Sequence, residues 1–268
     1  MDSTLPGKLQ ITRAGEVESW TLHDPATRNA LTDELVGALR QACQRAATDN
    51  TLRFVVLQGG GGAFCAGGSL GGFAASIGQA LPAGQTDPLI AMNAGFGSLL
   101  EALCALPQML LVAVDGPAMG GGLGLVCCAD FVLATPTAVF AAPEVTLGVV
   151  PAQIAIVVHR RLGDRAARRL LLSGEKLSAD QALALALGLA DELAPDLQTA
   201  LTQRISMLRR AAPGAVAHTK ALFCMLNTPV AHDLPVQAAI KFVANLRSPE
   251  AAEGLAAFAD KRKPGWAA

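Results

Sequence analysis

The sequence predicts an α/β fold, because short apolar strand patterns alternate with amphipathic helix patterns along most of its 268 residues. Hydrophobic residues make up 51% of the chain and charged residues 16%, which is enough apolar side chain for one large core. From residue 196 onward the pattern is almost wholly helical. We therefore expect a strand-and-helix core over residues 1–195 and a helical region over residues 196–268.

The N-terminal elements follow one another with clear boundaries. Leu9–Leu22 alternates weakly in hydrophobicity, which is typical of a β-hairpin. Thr32–Ala47 has apolar residues at helical spacing, and Thr32 is a favourable N-cap. A short apolar run at Arg53–Leu57 predicts a buried strand, and helical spacing returns at Pro88–Leu106. Between them, residues 74–87 are rich in Gly, Ala, Ser and Pro, so we expect a loop or lid there.

A glycine-rich junction follows the apolar strand pattern at Leu110–Val114. Asp115-Gly116-Pro117 ends this strand, since proline fixes φ and lacks a backbone donor. Gly120-Gly121-Gly122 then opens a small apolar segment that predicts a buried helix. Without a Cβ in the way, a ligand can approach the first N–H groups of that helix, which lack intrahelical acceptors. The junction is therefore either an anion or oxyanion site or a place of tight helix packing.

Glu144 is the only ionisable side chain between Asp130 and His159. If it is buried among these apolar residues, desolvation disfavours its charged form and raises its pKa. Such a carboxyl group is suited to general acid–base catalysis near neutral pH. The alternative is a solvent-exposed carboxylate at the turn that follows Pro143.

Composition and motifs argue against several classes of function. The net charge is −1 and no dense Lys/Arg run occurs, so nucleic acid is not an expected partner. The glycine-rich segment 59–73 has neither the phosphate-loop pattern nor a clean dinucleotide fingerprint. Pro, Gly or Asp interrupts the most apolar stretches, so no membrane span is expected. The six cysteines form no C-x-x-C pair, which favours free thiols, no metal site and a cytoplasmic protein.

Several short motifs, taken in order, resemble those of the enoyl-CoA hydratase/isomerase (crotonase) superfamily. They cover nearly the whole chain: Arg28-Asn29-Ala30-Leu31, Arg53–Leu57, Ala63–Gly68, Asp115–Gly122, Pro143-Glu144, Leu147-Gly148 and Phe258–Arg262. The resemblance implies a crotonase-like spiral of ββα turns, with C-terminal helices that mediate homotrimers, often paired into hexamers. It also implies an acyl-CoA thioester as substrate, so that coenzyme A is part of the substrate and no separate cofactor is expected.

The resemblance also implies roles for individual residues. By motif position, the backbone N–H groups of Gly68 and Gly121 bind the thioester oxygen, on which negative charge develops as an enolate. Glu144 is then the catalytic acid–base. The positions that match substrate- or CoA-contacting residues of the family are Arg28, Ala30, Ala66, Leu70, Gly124, Phe258 and Lys261. Of these, Phe258 and Lys261 match residues that commonly reach CoA from a neighbouring subunit.

Two departures from the family pattern leave the reaction open. Family hydratases usually carry a second glutamate, which falls on Gly124 here, and the acid commonly found after Ala-Gly-x falls on Ser69. Glu144 alone is compatible with a hydratase, or with a Δ3,Δ2-enoyl-CoA isomerase in which one base moves a proton between two carbons. A thioester hydrolase that uses Ser69 with a histidine and a non-catalytic acyl-CoA binder are the further alternatives.

A finer resemblance points to a subgroup of hydratases that act on branched glutaconyl-type CoA esters (isohexenylglutaconyl-CoA hydratase-like). It rests on the Gly-Gly-Gly-Leu-Gly-Leu run at 120–125 and on the segment Val149–Ala155. We expect Gly124 to enlarge the pocket beside the β-carbon of the substrate. A carboxylated branch of the acyl chain could then occupy that space and help to position water.

Overall fold

The computed structural model describes residues 8–68, 88–147, 149–184, 188–226, 249, 253, 256–257 and 260–265. It confirms the α/β class. The strands are β1 (Leu9–Ala14), β2 (Val17–Leu22), β3 (Phe54–Gly59), β4 (Met109–Val114), β5 (Pro117–Met119), β6 (Phe131–Ala134), β7 (Val139–Ala141), β8 (Lys176–Ser178) and β9 (Glu192–Leu193). The α-helices are α1 (Asp33–Ala47), α2 (Pro88–Cys104), α3 (Gly121–Cys127), α4 (Ala152–Ser173), α5 (Ala179–Ala184), α6 (Leu197–Leu208) and α7 (Pro213–Leu226).

The larger sheet has the strand order β1-β2-β3-β4-β6-β9. Its first two strands form the predicted antiparallel hairpin, and every later strand is parallel to its neighbour. Parallel neighbours need a crossover, and α1, α2 and α3 each lie between two successive strands of the sheet. A smaller sheet with the order β5-β7-β8 is inserted between these turns. This repeated strand–helix unit is the crotonase-like arrangement that the motifs indicate.

Alternate residues of the central strands belong to two separate cores. Val55 and Leu57 of β3 join the larger core, which also holds buried residues of α1, α2, α3 and α4. Phe54 and Val56 of the same strand join a smaller core with Ile205 of α6. Since successive side chains point to opposite faces of a sheet, one continuous apolar run serves both cores. α6 therefore covers the face of the sheet opposite to the larger core.

Two predicted helix boundaries can be compared directly with the structure. Thr32 is the N-cap of α1, as predicted: its hydroxyl oxygen accepts a hydrogen bond from Leu35 N–H at 3.3 Å. α2 begins at Pro88 as predicted but ends at Cys104 instead of Leu106. The predicted loop at 74–87 lies outside the described residues. The division at residue 195 stays a prediction.

A buried ionic group supports the hairpin from the side of α1. Glu18 is 2% exposed, and its carboxylate oxygens accept hydrogen bonds from Arg45 at 2.8 Å each and from the Trp20 indole N–H at 2.7 Å. Burial alone would raise the pKa of Glu18, but the hydrogen bonds from Arg45 and Trp20 outweigh it and hold this pKa below its usual value. Folding therefore favours the charged form of Glu18.

Membrane-spanning helices and clusters of metal-binding side chains are both absent from the described residues. No helix in these parts of the chain combines the length and the hydropathy needed to cross a membrane. The same residues contain no group of three or more His, Cys, Asp or Glu side chains that could hold a metal ion.

Candidate active site

The candidate site begins where a loop after β3 runs beside β5. Cys65 N–H donates to Pro117 O at 3.0 Å, and Met119 N–H donates to Cys65 O at 2.9 Å. These two bonds are the pattern of a parallel bridge, here between Cys65 and Ala118. The glycine-rich loop after β3 and the glycine junction after β4 are thereby fixed side by side.

A second segment of backbone supports the same loop from the other side. Ala66 N–H donates to Arg28 O at 2.9 Å, and Leu31 N–H donates to Gly67 O at 2.8 Å. Leu31 and Gly68 form an isolated parallel bridge. The turn that precedes α1 therefore runs parallel to the loop segment that ends at Gly68.

Asn29 ties these segments together. It is fully buried, has φ 59°, and uses its side-chain amide to donate to Gly60 O at 2.9 Å and Ala63 O at 2.8 Å. Its side-chain oxygen accepts from Asp24 N–H at 2.7 Å. A buried side chain with these partners satisfies backbone groups that the loop would otherwise leave unpaired. Asn29 thus fixes the glycine-rich loop to the turn that precedes α1.

The smaller sheet carries Glu144 to the glycine junction. β7 pairs in parallel with β5, with Ala141 opposite Met119, and Gly120 N–H donates to Ala141 O at 2.8 Å. The chain then enters a short 3₁₀ helix, Pro143–Leu147, which contains Glu144. The backbone ladder between β5 and β7 therefore determines where the carboxyl group lies.

Gly120 is the point at which the loop, the junction and Glu144 meet. A methyl group placed on Gly120 would lie 2.8 Å from Glu144 Oε1 and 3.9 Å from the Cα of Gly67. Gly67 in turn has φ 95°, and a methyl group there would lie 2.8 Å from Met119 O. Both positions need glycine because backbone and carboxylate approach one another too closely for a side chain. The structure thus brings together three predicted parts of the site.

The two predicted oxyanion donors differ in their surroundings. Gly121 is the first residue of α3, so its N–H has no intrahelical acceptor, and it is buried. A methyl group on it would lie 2.6 Å from Leu31 Cδ1 and 3.3 Å from Phe96 Cζ, which are the apolar neighbours of this donor. Gly68 is exposed. Two rigid amides of this kind can stabilise negative charge on a carbonyl oxygen.

Glu144 has the electrostatics of a general acid–base. Its Oε2 atom is buried and has no hydrogen-bond partner among the described residues. Burial raises the pKa of Glu144, although a hydrogen bond from its own backbone opposes the shift. The side chain is half-buried, which leaves it accessible to a substrate. The prediction of a raised pKa is confirmed.

The structure differs from the prediction at Gly124, which does not face an empty space. This residue is buried in α3, and a methyl group on it would lie 2.7 Å from Ile154 Cγ2 and 3.7 Å from Leu100 Cδ1. Ile154 itself is 4% exposed. The space that a second glutamate would need is therefore filled by an isoleucine from α4.

The other predicted contact residues are placed less closely around Glu144. Arg28 is exposed and has φ 55°, while Ala30 is half-buried and Ala66 is exposed beside Gly67. Lys261 lies in an exposed turn, and no described hydrogen bond or ion pair joins it to the rest of the site. The predicted residues Leu70 and Phe258, and Ser69 of the hydrolase alternative, lie outside the described residues.

A sequence model described as enoyl-CoA hydratase/isomerase matches residues 12–268, nearly the whole chain. The chain belongs to the enoyl-CoA hydratase/isomerase family. Among curated relatives, a putative enoyl-CoA hydratase from Thermus thermophilus is 31% identical over 255 residues, which cover 93% of this chain and 97% of that protein. A carnitinyl-CoA dehydratase from Proteus mirabilis is 29% identical over 264 residues, covering 96% of this chain and 97% of that protein.

Solved structures agree with this family membership. AtuE from Pseudomonas aeruginosa is 38% identical with a TM-score of 0.89, covering 97% of this chain and 100% of that chain. An enoyl-CoA hydratase/isomerase from Marinobacter aquaeolei is 38% identical with a TM-score of 0.88, covering 97% of this chain and 99% of that chain. The protein is therefore an enzyme of the enoyl-CoA hydratase/isomerase family with a crotonase-like fold.

Three residues of this family member were not assigned a site role from the sequence. Asn29 belongs to a recognised motif, but its function of holding the turn before α1 to the loop after β3 depends on contacts 31 and 34 residues away. Phe96 and Ile154 come from helices that are distant in sequence from α3. An asparagine shortly before a helix, a residue type enriched at positive φ, was the one available signal for Asn29. The two apolar residues gave no signal beyond helical periodicity.

Proposed function

We propose that this enzyme is an enoyl-CoA hydratase, adding water across the 2,3 double bond of an enoyl-CoA thioester. The observation that carries the proposal is the position of Glu144 Oε1 against Gly120, directly before the amide of Gly121. A half-buried carboxyl group beside a backbone oxyanion donor, with one oxygen that has no hydrogen-bond partner among the described residues, is the arrangement that thioester enolate chemistry needs. Family membership supports an acyl-CoA as the substrate.

The proposed reaction uses the two kinds of group in one sequence. The N–H groups of Gly68 and Gly121 donate to the thioester oxygen, which gains negative charge as the oxygen of water bonds to the β-carbon. Glu144 in its protonated form delivers a proton to the α-carbon, and the proton lost from water restores the carboxyl group. Each oxyanion donor is worth roughly 2.7–4 kcal/mol of transition-state stabilisation in comparable sites.

A Δ3,Δ2-enoyl-CoA isomerase is the second candidate. It is favoured because Glu144 is the one carboxyl group that the described residues place beside Gly120, and one such group can remove a proton from one carbon and return it two carbons away. The filled space above Gly124 is compatible with this reaction, since no water has to be held on that side. The two reactions share the oxyanion donors and differ in whether water is added.

The proposal includes a branched acyl chain with a polar group, as the finer resemblance implies. The space at Gly124 does not serve this purpose, so the branch must contact another part of the site. Gln153 of α4 donates from its side chain to Asn93 Oδ1 of α2 at 2.8 Å. Asn93 lies one helical turn before Phe96, the residue that contacts Gly121. These two amides are the side chains that we propose to hydrogen-bond a polar branch.

The oligomeric state is part of the same proposal. The resemblance implies a homotrimer or hexamer in which Phe258 and Lys261 reach the CoA part of a substrate bound to a neighbouring subunit. Sedimentation velocity at several protein concentrations distinguishes the two assemblies from a monomer. A Lys261→Ala variant is expected to raise KM for acyl-CoA esters with little change in kcat, because Lys261 would bind the remote CoA group.

The reaction is tested by incubating the enzyme with matched 2-enoyl- and 3-enoyl-CoA esters, with and without a carboxylated branch, and identifying products by mass spectrometry. Addition of water to the 2-enoyl esters supports the hydratase. An isobaric shift of the double bond means an isomerase, and free CoA means a hydrolase. The Glu144→Gln variant is the control: a non-catalytic binder shows no turnover with either protein.

A further inference from the structure

Four of the six cysteines come together behind α3, at the end remote from Gly121. Cys104 is the last residue of α2, Cys127 is the last of α3, Cys128 follows directly, and Cys224 belongs to α7. All are free thiols, and the proposed reaction uses none of them. Cys104 and Cys224 are half-buried, whereas Cys127 and Cys128 are buried. The cluster is therefore a group of nucleophilic side chains without an assigned role.

Cys104 and Cys128 are in direct contact within this cluster. Cys128 Sγ lies 3.3 Å from Gly124 O and 3.5 Å from Leu100 O. Cys104 is one helical turn beyond Leu100, so its backbone N–H is directed at the same carbonyl oxygen. The two thiols are close enough for each to affect the pKa of the other. These contacts place Cys128 beside the last turn of α2, which carries Cys104.

The surroundings shift the pKa values of Cys104 and Cys128 in opposite directions. The hydrogen bond from Cys128, together with the charge of the adjacent Arg160, holds the pKa of Cys104 below its usual value, although burial opposes this shift. Arg160 is itself held in place by Glu101, at 3.1 Å. Burial raises the pKa of Cys128 well above its usual value. The half-buried Cys104 is thus the better nucleophile, and Cys128 stays protonated beside it.

We propose that Cys104 and Cys128 are a peroxide-reactive dithiol, in which Cys104 is oxidised first and Cys128 then closes a disulfide. The Cys104 thiolate attacks one oxygen of hydrogen peroxide, which gives a sulfenic acid and releases hydroxide. The sulfur of Cys128 attacks the sulfenic sulfur, loses its proton and expels water. In total, two thiols and one peroxide give one disulfide and two waters, and the two electrons pass from sulfur to peroxide oxygen.

The neighbouring cysteines provide matched controls. Cys224 Sγ donates to the backbone oxygen of Cys104 at 3.9 Å. Cys127 is buried, and desolvation raises its pKa to about 12, so it does not compete as a nucleophile. Neither is needed for the proposed disulfide.

The test is made on the reduced full-length protein, titrated with hydrogen peroxide and then denatured and labelled with iodoacetamide. The wild type is expected to fall from six labelled thiols to four, since one disulfide consumes two, and peptide mapping is expected to show Cys104 linked to Cys128. Cys224→Ser should form the same link. Cys128→Ser should stop at Cys104 sulfenic acid, trapped by dimedone, or proceed to sulfinic acid. Thiol reduction should restore six labelled thiols in the wild type.

Two results overturn the proposal regardless of whether the variants fold. One is that the wild type keeps all six thiols at peroxide doses that oxidise a free cysteine peptide. The other is that peptide mapping shows a disulfide that excludes either Cys104 or Cys128, such as Cys104 linked to Cys224. Neither outcome depends on enoyl-CoA turnover, so a failure here is distinct from a failure of the proposed function.

Discussion

The close contact between Gly124 and Ile154 gives a quantitative prediction about this site. A methyl group on Gly124 would lie 2.7 Å from Ile154 Cγ2. This is about 0.8 Å short of the ~3.5 Å at which carbon atoms normally touch. Gly124→Ala should therefore destabilise the fold by about 1–3 kcal/mol, the usual cost of overpacking a core. Ile154→Ala alone should cost about 2–5 kcal/mol, because it opens a cavity.

The double variant separates this contact from the two individual effects. Ile154→Ala removes Cγ2, so the alanine at Gly124 then fills part of the new cavity. The combined loss of stability should fall short of the sum of the single losses by about 0.5–3 kcal/mol. Ile154→Val keeps Cγ2 and serves as the matched control, whose cycle with Gly124→Ala should be additive within about 0.5 kcal/mol.

Chemical denaturation at one fixed protein concentration measures all six proteins of the two cycles, because an assembly makes stability concentration-dependent. The fluorescence of the buried Trp20 reports unfolding. Equal additivity in the alanine and valine cycles would refute the contact. So would a Gly124→Ala variant as stable as the wild type, since it would mean that the space above Gly124 is open.

Four further predictions concern catalysis, backbone conformation and pH. Glu144→Gln should lower kcat about 10²–10⁴-fold. Burial raises the pKa of Glu144 above 4.5, so the charged carboxylate destabilises the wild type as pH rises from 4.5 through the raised pKa. Over this range the thermal stability of the Glu144→Gln variant should increase relative to the wild type, and exposed Glu34→Gln is the control. Gly67→Ala should cost more stability than Gly15→Ala in parallel denaturation curves, since both have positive φ but Gly15 has open space around it. Glu18→Gln should lower the free energy of unfolding by about 1–3 kcal/mol at neutral pH, as measured by urea titration. Because the folded-state pKa of Glu18 is lowered, this difference should shrink as falling pH protonates Glu18 in the wild type.

Local chemistry explains which parts of the fold could be predicted from the sequence. The hairpin, the N-cap at Thr32 and the glycine junction before α3 are encoded within a few neighbouring residues. The raised pKa of Glu144 was also predictable, because an apolar stretch surrounds it in the sequence and again in the fold. Elements of this kind need no knowledge of which segments meet in space.

Contacts between distant segments could not be predicted in the same way. Ile154 fills the space above Gly124 because α4 packs on α3, and the sequence does not specify the orientation of that packing. The hydrogen bonds of Asn29 depend on a loop more than thirty residues away. The position of α6 against Phe54 and Val56 likewise follows from the alternation of β3 across both faces of the sheet. In each case the sequence shows the residue type, but it does not show which distant residue that side chain contacts.

The backbone ladder between β5 and β7 has a consequence for how this enzyme can change over evolution. The pairing of Met119 with Ala141 sets the spacing between the amide of Gly121 and the carboxyl group of Glu144 without using any side chain. In the proposed site, point substitutions can therefore add or remove other acidic side chains. The spacing between the Gly121 amide and Glu144 stays the same. The resemblance, which places a family glutamate at the position of Gly124, implies one such change. A glutamate at position 124 would need the space that Ile154 fills, so both residues would have to change together.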